Sequence, residues 1–138
     1  MALEHLYCPD RAISKITKWL KPGGQLLFSI PYFEGFEFRV FKSYAYGLHL
    51  PNHLYFFNKS HIRGLLGSSY RKIRFVFHRF DRDIVASSHY RYQSVGSPLL
   101  KLVAYSRPVR YLIVKPFVFF LSLFGWSSRV TVFAIKNE

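Results

Sequence analysis

The chain has 138 residues, half of them apolar and a fifth aromatic, and 20 Lys and Arg against 7 acidic residues give a formal charge of +13. This composition excludes a disordered chain and predicts one globular domain over residues 1–138. The single cysteine excludes an intrachain disulfide framework and favours a reducing, cytoplasmic compartment, while the positive charge favours anionic partners such as acidic membranes or nucleic acid.

The first predicted element is an amphipathic helix over residues 9–20. Pro9 suits the first helical position, and apolar residues recur at helical spacing at Ile13, Ile16 and Leu20. Gly23 and Gly24 follow, and glycine accepts the left-handed geometry of a C-terminal cap. The helix is therefore expected to end at the LKPGG sequence.

A strand is predicted directly after these glycines, over residues 25–30. Its apolar residues are nearly continuous, which is typical of a strand covered on both faces in a parallel sheet. Helix, tight turn and buried strand together form the second half of a βαβ unit.

Residues 31–57 are predicted to form a long aromatic loop, and such loops in compact domains are usually functional or mobile. Asn58 is a good N-cap for a short helix over residues 59–66, which Gly67 would end.

Two further strands are predicted at residues 71–80 and 129–137, and they could pair antiparallel at a sheet edge. Between them, residues 81–128 are expected to form a helical insertion that is apolar and basic.

The second part of this insertion, residues 98–128, is cut by three prolines that predict short helical pieces. Its longest uncharged apolar run is too short for a spanning helix, which needs about 20 residues. One interpretation is peripheral membrane contact, with Arg107, Arg110 and Lys115 at phospholipid headgroups and aromatic side chains in the acyl boundary. The other is that these helices simply cover the sheet.

The order of these signals resembles the second half of class I S-adenosylmethionine-dependent methyltransferases, which have a Rossmann-like fold. The resemblance rests on LEHL at 3–6, the helix after Pro9, LKPGG at 20–24 and LLFSIP at 26–31. The later HLYFFNKSHIRGLL at 53–66 is similar to the helix that follows the active-site loop in that family.

The resemblance implies a partial Rossmann-like α/β sheet, parallel at residues 25–30 and antiparallel at its last two strands. In that family S-adenosylmethionine is held mainly by a glycine-rich turn after the first strand and an acidic residue after the second. Neither feature is present in this sequence, because its paired glycines follow a predicted helix and precede a predicted strand. The chain is therefore expected to be the C-terminal portion of a methyltransferase, with an incomplete cofactor site and no activity of its own.

The same resemblance implies the candidate site residues. Glu4 and His5 would contact the cofactor, and His5 and His53 would be catalytic. The acceptor pocket would be lined by Tyr32, Phe33, Tyr46, His49, His53 and Tyr55. The plainer interpretation is that Glu4 and His5 are solvated, His53 bonds loop backbone and the aromatic residues belong to the core.

A metal site is not predicted. Relatives that methylate quinone precursors carry a Glu-x-x-Glu-His cluster associated with a divalent metal. Glu4 and His5 match its last two positions, but Met1 occupies the first, and two ligands make a weak site.

The predicted function is S-adenosylmethionine-dependent methyl transfer to a small-molecule, lipid-linked or glycan acceptor. The alternative is a non-catalytic binding module on a membrane surface or nucleic acid. Nucleic acid is disfavoured because the aromatic residues within 71–80 alternate as a core face would. A third possibility is a truncated product that aggregates through an open sheet edge.

Overall fold

Residues 3–138 are described by the structure, a computed structural model, and the expectations for Met1 and Ala2 lie outside them. The helices are α1 (Pro9–Trp19), α2 (Phe36–Phe41), α3 (Lys59–Leu66), α4 (Arg82–Val95), α5 (Pro98–Tyr105), α6 (Arg107–Val109) and α7 (Lys115–Leu123). The strands are β1 (Gln25–Pro31), β2 (Tyr70–Phe77) and β3 (Arg129–Lys136).

The chain folds as two compact units, each made of segments that are distant in sequence. Unit 1 comprises the described residues up to Phe33 together with Leu50–Val76 and Val130–Glu138. Unit 2 comprises Glu34–His49 and Phe77–Arg129. The expected loop over residues 31–57 is thus shared between the two units.

The three strands form one antiparallel sheet in the order β1-β3-β2. The Lys136 amide donates to the Gly24 carbonyl at 2.9 Å, and the Asn137 amide donates to the Ser69 carbonyl at 2.9 Å. The predicted antiparallel pairing of the last two strands is confirmed, but β3 is the central strand of the three. β1 has no parallel strand beside it among residues 3–138, where the one isolated parallel bridge joins Tyr32 to Phe57.

The turn between α1 and β1 explains the Pro-Gly-Gly sequence. Gly23 has a φ of +74°, which a side chain rarely adopts, and a Cβ on Gly24 would lie 2.8 Å from the Lys21 carbonyl oxygen. The predicted coverage of both faces of β1 is wrong, since Leu27 is 58% exposed. Continuous hydrophobicity did not distinguish a half-covered strand from a fully buried one.

The core of unit 1 lies between the sheet and the two helices that pack on each other, α1 and α3. Thr17 on α1 accepts or donates a 2.7 Å hydrogen bond with the hydroxyl of Tyr70 at the start of β2. The least exposed apolar side chains of this unit are Ile13, Ile30, Ile62, Leu66, Val130, Val132 and Ala134.

Unit 2 is helical and holds a second apolar core. Its buried residues come from α2, α4 and the helical stretch before β3: Phe38, Phe41, Ala45, Ile84, Val114, Val118 and Leu121. Residues 36–48, expected as loop, contain α2 and two 3₁₀ turns, because their aromatic side chains pack into this core.

The expected break at Pro116 is also wrong. α6, a π-helical segment (Arg110–Val114) and α7 follow one another without a gap. Proline lacks an N–H and clashes with the carbonyl four residues before it in a regular α-helix, and the wider π-helical turn directly precedes Pro116. None of the helices in the described part of the chain is long and apolar enough to span a bilayer.

Candidate functional site

Two short segments of unit 1 meet, and the second reaches the carboxyl end of β1, where Phe57 pairs with Tyr32. The first is a 3₁₀ turn (Leu3–His5), and the second runs from Asn52 to Phe57. The Glu4 carbonyl accepts hydrogen bonds from the amides of Leu54 at 2.7 Å and Tyr55 at 3.4 Å. This backbone link brings His53 to Glu4 and His5, although 48 residues separate it from His5 in sequence.

The three side chains form a compact cluster. The imidazole rings of His5 and His53 have centroids 4.8 Å apart, and His5 Nε2 lies 3.8 Å from Glu4 Oε1. One ligand-type atom of each residue lies within 4.8 Å of the others. The structure therefore joins two of the predicted catalytic residues, His5 and His53, with the predicted cofactor contact, Glu4.

Glu4 is the most unusual member of this cluster. Its residue exposure is 0%, and both carboxylate oxygens are buried without a hydrogen-bond partner among the described residues. A buried carboxylate normally accepts several hydrogen bonds, because leaving it unpartnered costs free energy. An unsatisfied acceptor beside two imidazoles is the feature expected where a ligand completes the site. The expectation that Glu4 would be solvated is wrong.

The orientation of His5 is set by a residue that the sequence did not indicate. His5 Nδ1 lies 2.8 Å from the main-chain oxygen of Asn52, which can only accept, so Nδ1 carries the proton. Nε2 is the nitrogen nearer to Glu4, at 3.8 Å from Oε1. His5 is exposed, whereas His53 is 5% exposed.

Three of the residues predicted to line the acceptor pocket, Tyr32, Phe33 and Tyr55, lie in the same unit as this cluster. Tyr32 is buried where it pairs with Phe57, and the exposed Phe33 ring lies 5.4 Å from that of Phe56. Tyr55 is 41% exposed, and its hydroxyl donates to the main-chain oxygen of Tyr7 at 2.9 Å. Phe33 and Tyr55 therefore present accessible rings in the same unit as the cluster.

Tyr46 and His49, the other two predicted pocket residues, belong to unit 2. The Tyr46 hydroxyl accepts a 2.8 Å hydrogen bond from Arg82, and His49 is exposed with a left-handed φ of +39°. Their place in an acceptor pocket stays a prediction.

A second buried carboxylate, also missed by the sequence analysis, lies in unit 2. Glu37 accepts hydrogen bonds from the Ser87 hydroxyl at 2.6 Å and the Gly47 amide at 3.0 Å. Burial raises the pKa of Glu37, and the two hydrogen bonds oppose that rise. Both bonds go to Oε1, while Oε2 is buried without a hydrogen-bond partner among the described residues. The one acid within the aromatic run FEFRVF was a signal for this buried polar contact.

A well-defined cavity of unit 1 lies elsewhere. This cavity, of about 370 Å³, is lined by Gln25, Lys72, Arg74, Phe133, Ala134 and Ile135. It contains neither a carboxylate nor an imidazole, and its Arg74 guanidinium lies 4.9 Å from the centre of the Phe133 ring. The cluster at Glu4, with its unsatisfied buried carboxylate, is the better candidate site on chemical grounds.

Comparisons with known proteins give distant likenesses to solved structures alone. No protein-family model matches the chain, and no curated protein matches it. A solved structure of Haemonchus contortus phospholethanolamine N-methyltransferase 2, in complex with phosphomonomethylethanolamine and S-adenosylhomocysteine, is similar with a TM-score of 0.47 and 19% identity. The match covers 99% of this chain and 32% of that one, so the chain spans about a third of that methyltransferase's length.

Proposed function

We propose that this chain forms the acceptor side of an S-adenosylmethionine-dependent methyltransferase with a Rossmann-like sheet. The observation that carries the proposal is the cluster of Glu4, His5 and His53, whose second segment reaches the carboxyl end of β1. Ligands of open α/β sheets bind beyond the carboxyl ends of the strands. Of the sequences that resemble the family, the strand proline is the last residue of β1, LEH belongs to the cluster itself, and LKPGG directly precedes the strand.

The residues present fit the acceptor side better than the whole cofactor. The unpartnered Glu4 carboxylate can accept hydrogen bonds from hydroxyl groups, which both an acceptor and the cofactor's ribose carry. Residues 3–138 contain no glycine-rich turn between a strand and the following helix. We therefore assign Glu4 and His5 to the rim facing the cofactor, and Phe33 and Tyr55 to the acceptor.

The proposed reaction requires little covalent participation by the protein. When bound, S-adenosylmethionine supplies a methyl group, and the acceptor oxygen bonds to its carbon as the carbon–sulfur electron pair stays on sulfur. The acceptor hydroxyl loses its proton to His53, the buried imidazole of the cluster, which acts as general base. Positioning of the hydroxyl supplies most of the rate enhancement. The acceptor is a hydroxyl-bearing small molecule, lipid-linked group or glycan.

The test uses the gene product as the source cell makes it, tagged at the C-terminus of this chain and purified from that cell. The protein is incubated with methyl-labelled S-adenosylmethionine and a cell extract, and label is followed into the lipid, glycan and small-molecule fractions. His53→Gln should reduce transfer by about 100-fold or more. The control is His61→Gln, which changes an exposed histidine of the same unit and should leave transfer unchanged.

Absence of label transfer by the native protein to every fraction would overturn the proposal. Equal transfer by the His53→Gln and His61→Gln proteins would leave methyl transfer in place but remove His53 as the proton acceptor.

A further inference from the structure

We propose that Glu4, His5 and His53 form a binding site for a divalent transition-metal ion. The inference rests on the location of the proposed functional site but not on its reaction, because metal affinity is measurable without any methyl donor. The relatives' Glu-x-x-Glu-His pattern is incomplete here, with Met1 at its first position. The fold brings His53 from another segment to Glu4 and His5, where it can serve as the third metal ligand.

The donor set has the chemistry of such a site. Two imidazole nitrogens and one carboxylate suit zinc and iron-type ions better than magnesium or calcium, which prefer oxygen ligands. Three protein ligands with an open fourth position are the pattern of catalytic zinc sites. The unpartnered oxygens of Glu4 supply the negative charge that a buried cation requires.

The hydrogen bonds that would orient the metal ligands are already formed. A metal-bound histidine usually donates its other ring N–H to a carbonyl or carboxylate, which fixes the ring and raises the basicity of the coordinating nitrogen. His5 does this through Nδ1 to the Asn52 main-chain oxygen at 2.8 Å. The main-chain hydrogen bonds from Leu54 and Tyr55 to the Glu4 carbonyl hold the two segments together.

The distances are close to those that a metal needs. A tetrahedral zinc ion with bonds of about 2.0–2.1 Å holds its ligand atoms about 3.3 Å apart. His5 Nε2 and Glu4 Oε1 are 3.8 Å apart, and all three donor atoms lie within 4.8 Å of one another. Small side-chain rotations therefore suffice to close the site.

In the metal-bound chain His53 would be a ligand, so the role of proton acceptor that we propose for it applies to the chain without metal. A bound divalent ion would supply Lewis-acid activation of a coordinated hydroxyl instead. Methyl transfer by the native protein would then change when a chelator removes the metal.

The test is a titration of the 138-residue chain, first stripped with a chelator, using Zn²⁺ alone in calorimetry and Co²⁺ alone in visible absorption spectroscopy. We expect one ion per chain and the intense Co²⁺ bands of a tetrahedral site. Glu4→Gln, His5→Ala and His53→Ala should each weaken Zn²⁺ binding by about tenfold or more. His61→Ala, which also removes one histidine of unit 1, should bind as the unsubstituted chain does.

Equal Zn²⁺ affinity in the Glu4→Gln, His53→Ala and unsubstituted chains would overturn the metal site, and so would an equal loss in the His61→Ala chain. Circular dichroism of each variant without metal separates lost ligands from lost folding. Metal binding without methyl transfer would leave this inference standing while the proposed function fails.

An independent observation in unit 2 supports a second proposal: we infer that residues 98–126 dock on an anionic membrane surface. Phe117, Phe120 and Phe124 recur at helical spacing, so they share a side of the helix. Large apolar side chains exposed by 50% or more include Tyr111, Leu112, Ile113, Phe120, Leu123, Phe124 and Trp126. A patch of this kind marks an interaction surface.

Charge complementarity identifies the partner. No Asp or Glu occurs between residues 84 and 137, whereas Lys101, Arg107 and Lys115 lie within or beside the exposed helices. Arg110, expected at the headgroups, is instead held by Asp81 in two hydrogen bonds of 2.6 and 3.1 Å. Exposed aromatic residues next to exposed cations, with Lys115 lying 4.0 Å from the centre of the Tyr111 ring, match an interfacial element that inserts below anionic lipid headgroups.

The test is co-sedimentation with phosphatidylcholine vesicles, with and without about 30% phosphatidylserine. We expect binding only with the anionic lipid, and a loss of about tenfold or more in the Phe124→Ser/Trp126→Ser chain. Trp19→Ser is the matched control, since Trp19 is exposed in unit 1 and should leave binding unchanged. Equal binding by both variants, or binding to duplex RNA but not to anionic vesicles, would overturn the inference.

Discussion

The carboxylate of Glu37 on α2 accepts a hydrogen bond of 2.6 Å from the hydroxyl of Ser87 on α4, fifty residues further along the chain. Both residues are fully buried. The contact joins the short helix of residues 36–41 to α4, and it contributes to the pH dependence of this unit.

Glu37→Gln should flatten the pH dependence of stability. Burial raises the pKa of Glu37 above its ordinary value of 4.5, so the folded chain holds this proton more tightly than the unfolded chain. The stabilisation that protonated Glu37 contributes is complete below pH 4.5. It is lost as pH rises through the pKa of Glu37 in the folded chain, because the folded chain must then bury a charge. Urea midpoints measured from about pH 4 to about pH 8 should therefore fall in the unsubstituted chain and change less in the variant.

The control for this measurement is Glu138→Gln, which neutralises an exposed terminal carboxylate. The same pH slope in both variants would contradict a role for Glu37 burial.

Glycine-to-alanine changes at two positions should shift stability in opposite directions. A Cβ on Gly47 would lie 2.6 Å from the Phe38 ring, so Gly47→Ala should cost about 1–3 kcal/mol. A Cβ on Gly64 meets nothing within 4 Å inside α3, so Gly64→Ala should stabilise by up to about 1 kcal/mol. Thermal melting of the two variants checks this, and a shift of the same sign in both would refute the packing argument.

Asn58→Ala should destabilise the chain by about 1 kcal/mol. The Asn58 side chain accepts a 2.8 Å hydrogen bond from the His61 amide and so caps α3. Ser97 occupies the corresponding position before α5 but makes no side-chain cap. Ser97→Ala should therefore change the unfolding free energy by less, and a larger effect at Ser97 than at Asn58 would count against the capping geometry.

The ion pair of Asp81 with Arg110 should be weak and sensitive to acid. The hydrogen bonds from Arg110 hold the pKa of Asp81 below its ordinary value of 3.8. The stabilisation is present above pH 3.8 and is lost as pH falls through the lower folded pKa. Arg110 is 42% exposed, so a double-mutant cycle of Asp81→Asn and Arg110→Gln should give about 0.5–1 kcal/mol near pH 7. A coupling free energy that stays constant down to about pH 2 would contradict this assignment.

Elements whose signals are local could be predicted from the sequence. Pro9 and the Pro-Gly-Gly turn fixed the limits of α1, and Asn58 marked the start of α3 within a residue. Period-two hydrophobicity located β2 and β3, since alternate side chains of β3 are buried. Turn chemistry, capping and periodicity act within a few residues, so one sequence is enough to detect them.

Features that depend on distant partners could not be predicted. The position of β3 between the other two strands follows from tertiary pairing and has no local signal. Likewise, His53 is one of six histidines, and only the backbone bonds between its segment and Glu4 select it as the third member of the cluster. The helix over residues 36–41 was missed because burial of Phe38 and Phe41 outweighs the loop-like composition around them.

Glu4 takes part in both the backbone link and the side-chain cluster, so binding of a ligand to the cluster is coupled to detachment of residues 52–57. Its main-chain oxygen accepts from the amides of Leu54 and Tyr55, while its carboxylate faces the two imidazoles. Residues 52–57 cannot detach without separating His53 from Glu4, so anything bound to all three side chains also holds this segment down by mass action. The rate of deuterium uptake at the Leu54 amide therefore reports how much of the site is occupied. We expect this rate to fall as the ligand concentration rises.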